Sequence, residues 1–229
     1  MSLTPENVRS LLNSDDFGDR LRAVNQIRAL DTEVACELLQ VAAADKNTRV
    51  RYAAVSQLAN LKGCDRAALL PMLRHTLVND PEPDVQAAAA DALGALQLTE
   101  AFEDLKTAYE TSAEWLVQFS IIAALGELGD PRGFELLQSA LASDNELMVT
   151  AAIGSLGELR DDRALPLLLG YVDAGDWQIR HRVVQALSQF DNAEAKAAIA
   201  QLSQDKSHIV AEAAKAPHSV ILRLTAGLQ

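Results

Sequence analysis

The fold is decided by the stretch Asp45-Lys-Asn-Thr-Arg-Val-Arg-Tyr-Ala-Ala-Val-Ser-Gln-Leu-Ala-Asn-Leu61. Its apolar residues Val50, Ala54, Leu58 and Leu61 recur every three or four positions. This spacing places them on one side of an α-helix, with the polar residues on the other side. The stretch therefore predicts an amphipathic helix that needs a partner to cover its apolar stripe.

The same helix recurs six times along the chain, marked by two apolar columns that stand three residues apart. The steps between successive copies are 31, 35, 32, 31 and 31 residues. The first column is Ile27, Leu58, Leu93, Leu125, Leu156 and Leu187, and the second is Leu30, Leu61, Leu96, Leu128, Leu159 and Phe190. Because each copy is followed by a turn and a second apolar segment, the pattern predicts an all-α fold, an armadillo-like α-solenoid of about six helix pairs.

The sequence predicts one continuous array over residues 1–229. An N-terminal capping helix is expected in residues 1–14, with Thr4 as N-cap and Pro5 in the first helical position. Six helix pairs follow in 15–204, each with a first and a second helix. A degenerate C-terminal cap is expected in 205–229, where Pro217 interrupts the first helix of an incomplete seventh repeat. The 35-residue step predicts about four extra residues near Gly63, which would move Pro71 toward the first turn of its helix.

Two polar columns precede each first helix. They read Asp16, Asn47, Glu82, Glu114, Asn145 and Asp176, and, two residues earlier, Ser14, Asp45, Asp80, Ser112, Ser143 and Ala174. Short oxygen-bearing side chains at such positions accept hydrogen bonds from the free N–H groups of the first helical turn, and the acidic ones also suit the helix dipole. We therefore interpret these carboxylates as helix caps and not as acid–base pairs.

Composition and charge exclude several classes of function. A net charge of −12 and a pI near 4.7 disfavour nucleic-acid binding, because an acidic surface repels phosphates. The sequence contains no apolar run long enough to span a membrane and no signal peptide. Cys36 and Cys64 do not suggest a disulfide framework, so free core or linker thiols are expected in preference to a metal pair, in a reducing cytosol.

The signature Asp-x-x-x-x-Val-Arg-x-x-Ala-Val-x-x-Leu-x-x-Leu of residues 45–61 resembles the short HEAT-like repeats of the phycobilin lyase class. Other strings are similar to the phycobilisome degradation proteins of that class. They are Thr4-Pro5-Glu6-x-Val8, Gly18-Asp-Arg-Leu-Arg-Ala-Val-Asn-Gln26, Arg49-Val-Arg-Tyr-Ala-Ala-Val-Ser-Gln57, Asp84-Val-Gln-Ala-Ala-Ala-Ala90, Glu114-Trp-Leu-Val-Gln-Phe-Ser-Ile-Ile122 and Asp176-Trp-Gln-Ile-Arg180. The resemblance covers nearly the whole chain.

The resemblance implies a cytoplasmic protein, associated with phycobilisomes at the thylakoid surface, that binds the phycobiliproteins phycocyanin and allophycocyanin. It implies a part in phycobilisome degradation and leaves open whether the linear tetrapyrrole is detached. No resident cofactor is expected, only transient phycocyanobilin. No catalytic motif can be carried over, so a binding protein is slightly favoured over an enzyme. The alternative is an assembly scaffold for iron–sulfur maturation or photosystem assembly.

Candidate binding residues are those where the repeats differ from one another near the start of the first helices. They are Arg51, Tyr52, Trp115, Gln118, Phe119, Trp177, Arg180 and His181. Trp, Tyr and Arg are the residue types that most often anchor interfaces, and arginine can pair bidentately with a bilin propionate. Two alternatives remain open at this stage: the arginines can form a structural ladder between repeats, and the tryptophans can pack between them.

Overall fold

A computed structural model describes residues 3–61 and 63–216, and this part of the chain is helical without any strand. The helices are α1 Pro5–Leu12, α2 Phe17–Ile27, α3 Thr32–Ala42, α4 Thr48–Leu58, α5 Arg66–Asn79, α6 Pro83–Ala95, α7 Phe102–Thr111, α8 Trp115–Leu128, α9 Phe134–Ala140, α10 Glu146–Leu159, α11 Ala164–Leu169, α12 Trp177–Leu187, α13 Ala193–Leu202 and α14 His208–Lys215. Short 3-10 turns precede α7 and α9. The all-α prediction is confirmed.

The helices form pairs in the predicted order. The first helices are α2, α4, α6, α8, α10 and α12, and each is followed by a second helix, which is longer than the first helix only in the α4–α5 pair. Helix α1 precedes the first pair, with Thr4 accepting from the Asn7 N–H and Pro5 at the first position. Six pairs in the described residues, with a cap helix before them, agree with the α-solenoid class. Pro217 and the residues after it lie outside the described part.

The chain divides into two compact units, Met1–Ala124 and Leu125–Gln229. The first apolar column forms the core of each, since all six members are completely buried. The second column is core only in part: Leu96, Leu128 and Phe190 are buried, whereas Leu30, Leu61 and Leu159 are half-buried. The expectation of a fully buried second column is therefore wrong at three positions, which lie at or beyond the ends of α2, α4 and α10.

The side chains of the two polar columns make different hydrogen bonds at the starts of the first helices. Asp16 accepts hydrogen bonds from the Gly18 and Asp19 N–H groups at 2.7 and 3.1 Å. Equivalent caps are made by Asn47, Asn145 and Asp176, whereas Glu82 makes none with its side chain. The earlier column closes the turn instead: Asp45 accepts from the Asn47 N–H at 2.7 Å. The cap prediction is thus confirmed for Asp16, Asn47, Asn145 and Asp176, and it is wrong for the Glu82 side chain and for Asp45.

Neighbouring first helices approach each other through glycines. A Cβ added to Gly94 of α6 would lie 2.8 Å from the Ala124 Cα of α8. In the second unit, a Cβ on Gly157 of α10 would lie 2.6 Å from the Ala186 Cα of α12. These distances are too short for any side chain, so the helices pack backbone against backbone.

The two cysteines correct an expectation drawn from the sequence. Cys36 of α3 and Cys64 are joined by a disulfide, with their Cα atoms 5.7 Å apart. Gly63, directly before Cys64, lies in a turn with a φ of +98°, and the next helix begins two residues after Cys64. Helix α5 starts at Arg66, so Pro71 lies in its second turn and not in the first. None of the described helices is both long and apolar enough to cross a membrane.

Candidate functional site

A polar column beside the buried stripe fixes the loops before the first helices. Each of its side chains donates to the backbone carbonyl six residues earlier. These bonds are Arg20 to Ser14 at 2.9 Å, Arg51 to Asp45 at 3.0 Å, Gln86 to Asp80 at 3.0 Å, Gln118 to Ser112 at 3.0 Å and Arg180 to Ala174 at 2.6 Å. We call these five side chains the loop ladder. Val149, at the equivalent position, is a buried valine without a side-chain donor.

The arginines of the loop ladder also bind the carboxylate at the start of the next loop. Arg51 pairs with Asp80 at 2.7 Å, and Arg180 pairs with Asp205 at 2.6 Å, each through two parallel hydrogen bonds. The Arg180 guanidinium holds the pKa of the Asp205 carboxyl below its ordinary value. The structure therefore supports the ladder alternative. Arg51, Gln118 and Arg180 are set aside from the candidate site, because their donors are used within the protein.

The aromatic candidates remain accessible. In the first unit, Tyr52 is 48% exposed and Trp115 is 54% exposed, and the Trp115 ring packs edge-to-face on Phe119 with centroids 6.3 Å apart. In the second unit, Trp177 begins α12 and is 40% exposed. His181 is half-buried one turn later, and its pKa is lowered by burial and by the nearby Arg182 charge.

Tyr52 lies in an open cavity of about 350 Å³ in the first unit. Three first helices supply its walls, and we call it the α4–α6–α8 groove. Its lining residues are Thr48, Arg49 and Tyr52 of α4, Asp84, Ala87, Ala88 and Asp91 of α6, and Leu116 and Ser120 of α8. Trp115 and Phe119 are the sequence neighbours of the two α8 residues. Of the eight predicted site residues, Tyr52 therefore lines the groove, and two more are next in sequence to residues that line it.

Asp91 is the titratable group of the groove with the most altered environment. The protein around it disfavours the charged carboxylate and raises its pKa to about 6, although the Ser120 hydroxyl donates a hydrogen bond that works in the opposite direction. The Asp91 side chain stays accessible to solvent, whereas Ser120 is buried. Asp91 therefore changes its charge close to neutral pH.

Comparison with known proteins agrees with this architecture. The model of the HEAT-repeat family matches residues 70–153 and 149–216, which together are more than half of the chain. The chain belongs to the HEAT-repeat family. No curated protein matches this HEAT-repeat chain by sequence.

Several solved structures share the fold of this HEAT-repeat protein at low sequence identity. The complex of CpcE and CpcF of phycocyanin lyase from Nostoc sp. PCC7120 matches with a TM-score of 0.66 and 20% identity, over 100% of this chain and 96% of that one. An engineered protein matches at 0.56 and 18%, over 100% and 72%. The archaeal HEAT-like repeats protein from Thermococcus onnurineus NA1 matches at 0.51 and 15%, over 98% and 99%.

The groove residues Arg49, Asp84, Asp91 and Ser120 were not among the predicted site residues, although one signal was present. Two residues before the first apolar column the repeats read Asn25, Ser56, Asp91, Ala123, Gly154 and Gln185. Asp91 is the one carboxylate in this column. Asp91 departs from its column, as Trp115 does, but an aspartate is common in a chain with 32 Asp and Glu residues and is therefore not distinctive.

The described residues of this HEAT-repeat chain contain no group of three or more His, Cys, Asp or Glu side chains arranged to hold a metal ion. The groove offers a different chemistry: one guanidinium, two carboxylates, a phenol ring and a floor of alanine methyl groups. Such a surface suits recognition of an amphipathic group, in which apolar and charged parts lie side by side.

Proposed function

We propose that this chain is a HEAT-repeat interaction protein that binds phycobiliproteins and takes part in phycobilisome degradation. The observation that carries the proposal is the fold that it shares, over 100% of this chain and 96% of the other, with a subunit of the CpcE–CpcF phycocyanin lyase complex. The sequence strings that resemble the phycobilisome degradation protein NblB support the same function. They lie in both units and include α4, the start of α6 and the start of α8.

The surface that we assign to this binding is the α4–α6–α8 groove together with Trp115 and Phe119. Repeat arrays act mainly by presenting an extended surface to a partner. Large aromatic residues carry much of the energy of protein interfaces, and Trp115 and Tyr52 are both about half exposed. Exposure of two large aromatic side chains beside one cavity is explained by a partner that covers them.

The proposal is tested by measuring binding of the protein to purified phycocyanin and allophycocyanin. We expect binding at micromolar concentrations, and Trp115→Ala is expected to weaken it about tenfold or more, as truncation of an interface anchor does. Val41→Ala is the matched control, because Val41 is a 58% exposed apolar residue of α3, a second helix that does not line the groove. Urea unfolding of both variants verifies that they fold. If the protein binds neither phycocyanin nor allophycocyanin, the proposal is contradicted.

Detachment of the tetrapyrrole is decided in the same samples. After incubation, the covalent chromophore content of phycocyanin is measured by absorbance and by zinc fluorescence under denaturing conditions. A loss of covalent chromophore assigns a lyase-like activity, whereas an unchanged content with retained binding assigns a binding protein. A pull-down that recovers iron–sulfur or photosystem assembly factors and no phycobiliprotein would favour the assembly scaffold instead.

A further inference from the structure

The two ends of the α4–α6–α8 groove differ in charge. At one end, Arg49 and Asp84 occupy the same position of consecutive repeats, nine residues before the core leucine. A guanidinium on α4 and a carboxylate on α6 thus stand at the same level. At the other end stands Asp91, whose equivalent on α4 is Ser56 and whose hydrogen-bond partner is the neutral Ser120 hydroxyl. The Asp91 end is therefore the acidic end of the groove.

The environment of Asp91 is that of a carboxylate whose counter-charge is missing. Two carboxylates and one guanidinium line the groove, so its charge is negative once Asp91 is ionised. Crowding by protein without a cation at hand is what raises the pKa of a carboxyl group. A cation bound beside Asp91 would stabilise the ionised form, and the groove is complementary to positive charge at this end.

The remaining walls fit the uncharged part of a basic side chain. Ala87 and Ala88 lie between Asp84 and Asp91 on the same helix and form an apolar floor. Lysine and arginine bury their alkyl stems along such surfaces while the charged head reaches a polar group. The Tyr52 ring on the opposite wall can also attract a cation through its π-face. A volume of about 350 Å³ is enough for one long side chain.

We propose that the α4–α6–α8 groove docks one arginine or lysine side chain of a partner protein. The charged head pairs with Asp91, the alkyl stem lies on Ala87 and Ala88, and the Tyr52 ring covers it. This assignment deepens the proposed function by naming the chemistry that the groove recognises, and it rests on that function only for the identity of the partner. The net charge of −12 also favours a partner with a basic surface.

The inference is tested with a probe that carries a single side-chain charge. The isotope-labelled full-length protein is titrated with N-acetyl-argininamide at pH 7.5, and backbone amide shifts are followed by NMR. We expect saturable shifts at millimolar concentration, a range normal for so small a ligand, centred on Ala87, Ala88, Asp91 and Ser120. N-acetyl-citrullinamide has nearly the same shape without the charge and should bind at least about fivefold more weakly, because it cannot form the charge-assisted hydrogen bond.

Asp91→Asn is the decisive variant. The asparagine keeps an oxygen that can accept from the Ser120 hydroxyl, so the local structure is preserved while the charge is lost. We expect its affinity for N-acetyl-argininamide to fall to that of the citrulline probe. Asp144→Asn removes the same charge from an exposed residue of the second unit and should bind like the wild type. Equal binding of both probes, absent saturation, or an unchanged affinity in Asp91→Asn would each overturn the inference.

Binding should also depend on pH in a defined direction. The charged and titratable groups that line the groove are Arg49 and Tyr52 on α4 and Asp84 and Asp91 on α6, while α8 contributes the neutral Ser120. Of these, Asp91 loses its charge between pH 7.5 and 5.0, since its pKa lies at about 6. The affinity for N-acetyl-argininamide should therefore fall by as much as about tenfold at pH 5.0, and an affinity that rises toward acid pH contradicts the assignment.

The same variant separates this inference from the proposed function. If phycocyanin binds the wild type and binds Asp91→Asn several-fold more weakly, both proposals are supported. Equal binding of phycocyanin to the two proteins overturns the groove as the partner contact and leaves the proposed function standing. If neither phycocyanin nor allophycocyanin binds while the arginine probe does, the proposed function fails and the groove assignment stands.

Discussion

Arg51 and Tyr52 are neighbours in the sequence, yet they belong to two regions with opposite properties. Arg51 is in the loop ladder, where its guanidinium binds Asp80 and the Asp45 carbonyl and only 12% of its side chain is exposed. Tyr52 is on the wall of the α4–α6–α8 groove, half exposed beside Arg49, which is also exposed. In five of the six repeats the ladder makes the same bond to the carbonyl six residues earlier, whereas the groove positions of Arg49, Tyr52 and Asp91 carry a different residue in each neighbouring repeat. The difference indicates that the regular positions hold the fold and the irregular ones provide the surface.

The largest expected effect concerns the disulfide, which joins α3 of the first helix pair to the loop after α4, the helix that carries Arg51. The Cys36–Cys64 bond closes a loop of 28 residues. Its reduction should lower the free energy of unfolding by about 3–4 kcal/mol in the chain-entropy model. Urea unfolding with and without a phosphine reductant measures this change. The double variant Cys36→Ala/Cys64→Ala should not respond to the reductant. Identical unfolding midpoints of the wild type with and without the reductant would contradict a stabilising role of the disulfide.

A smaller effect separates a ladder arginine from a groove arginine. Arg180 is 3% exposed and donates four hydrogen bonds, to Asp205 and to the carbonyls of Ala174 and Gly175. Arg180→Ala should cost about 2–3 kcal/mol of unfolding free energy, because it removes four hydrogen bonds and leaves the Asp205 carboxylate without its counter-charge. Arg49→Ala should cost less than about 0.5 kcal/mol, as is usual for an exposed site. If urea unfolding gives similar losses of unfolding free energy for Arg180→Ala and Arg49→Ala, the difference between the ladder and the groove is contradicted.

The smallest effect is a difference in the sign of the pH dependence. The pKa of Asp205 is lowered by Arg180, so its stabilisation is present above the unfolded-state pKa and is lost as the pH falls through the folded-state value. The pKa of Asp91 is raised to about 6, so its contribution is complete below an unfolded-state pKa of about 3.9 and is lost as the pH rises toward 6.

Urea midpoints measured between pH 2.5 and 7 compare the wild type with Asp205→Asn and Asp91→Asn. The wild type should lose stability relative to Asp205→Asn as the medium becomes more acidic. Relative to Asp91→Asn, it should lose stability as the pH rises from about 4 to about 6. If both stability differences change with pH in the same direction, the opposite environments assigned to Asp205 and Asp91 are contradicted.

The sequence was sufficient for the architecture because the apolar period reports burial directly. Leu58 and its five equivalents are all core, and the caps at Asn47 and Asp176 follow from side-chain chemistry that acts within three residues. The disulfide was missed because pairing of Cys36 with Cys64 depends on the path of a non-repeating segment. Asp91 was missed because its raised pKa arises from neighbours on other helices, which a single periodic column does not reveal.

The ladder alternative for Arg51 and Arg180 could be weighed but not decided from the sequence. The decisive partners, Asp80 and Asp205, lie 29 and 25 residues away and belong to the next loop. Only the stacking of the repeats brings those carboxylates to the guanidinium groups. For Trp115 the sequence indicated an unusual residue, and the structure adds that its ring is exposed and packs on Phe119.

The size of the side chain at position 94 determines how closely α6 and α8 can approach each other. Gly94 meets Ala124 one helical turn beyond the Asp91–Ser120 hydrogen bond, and both pairs join the same two helices. A methyl group at position 94 would act as a spacer, pushing the helices apart by an amount set by its own size. We expect Gly94→Ala to alter the Asp91–Ser120 contact and with it the pKa of Asp91, although position 94 does not line the groove.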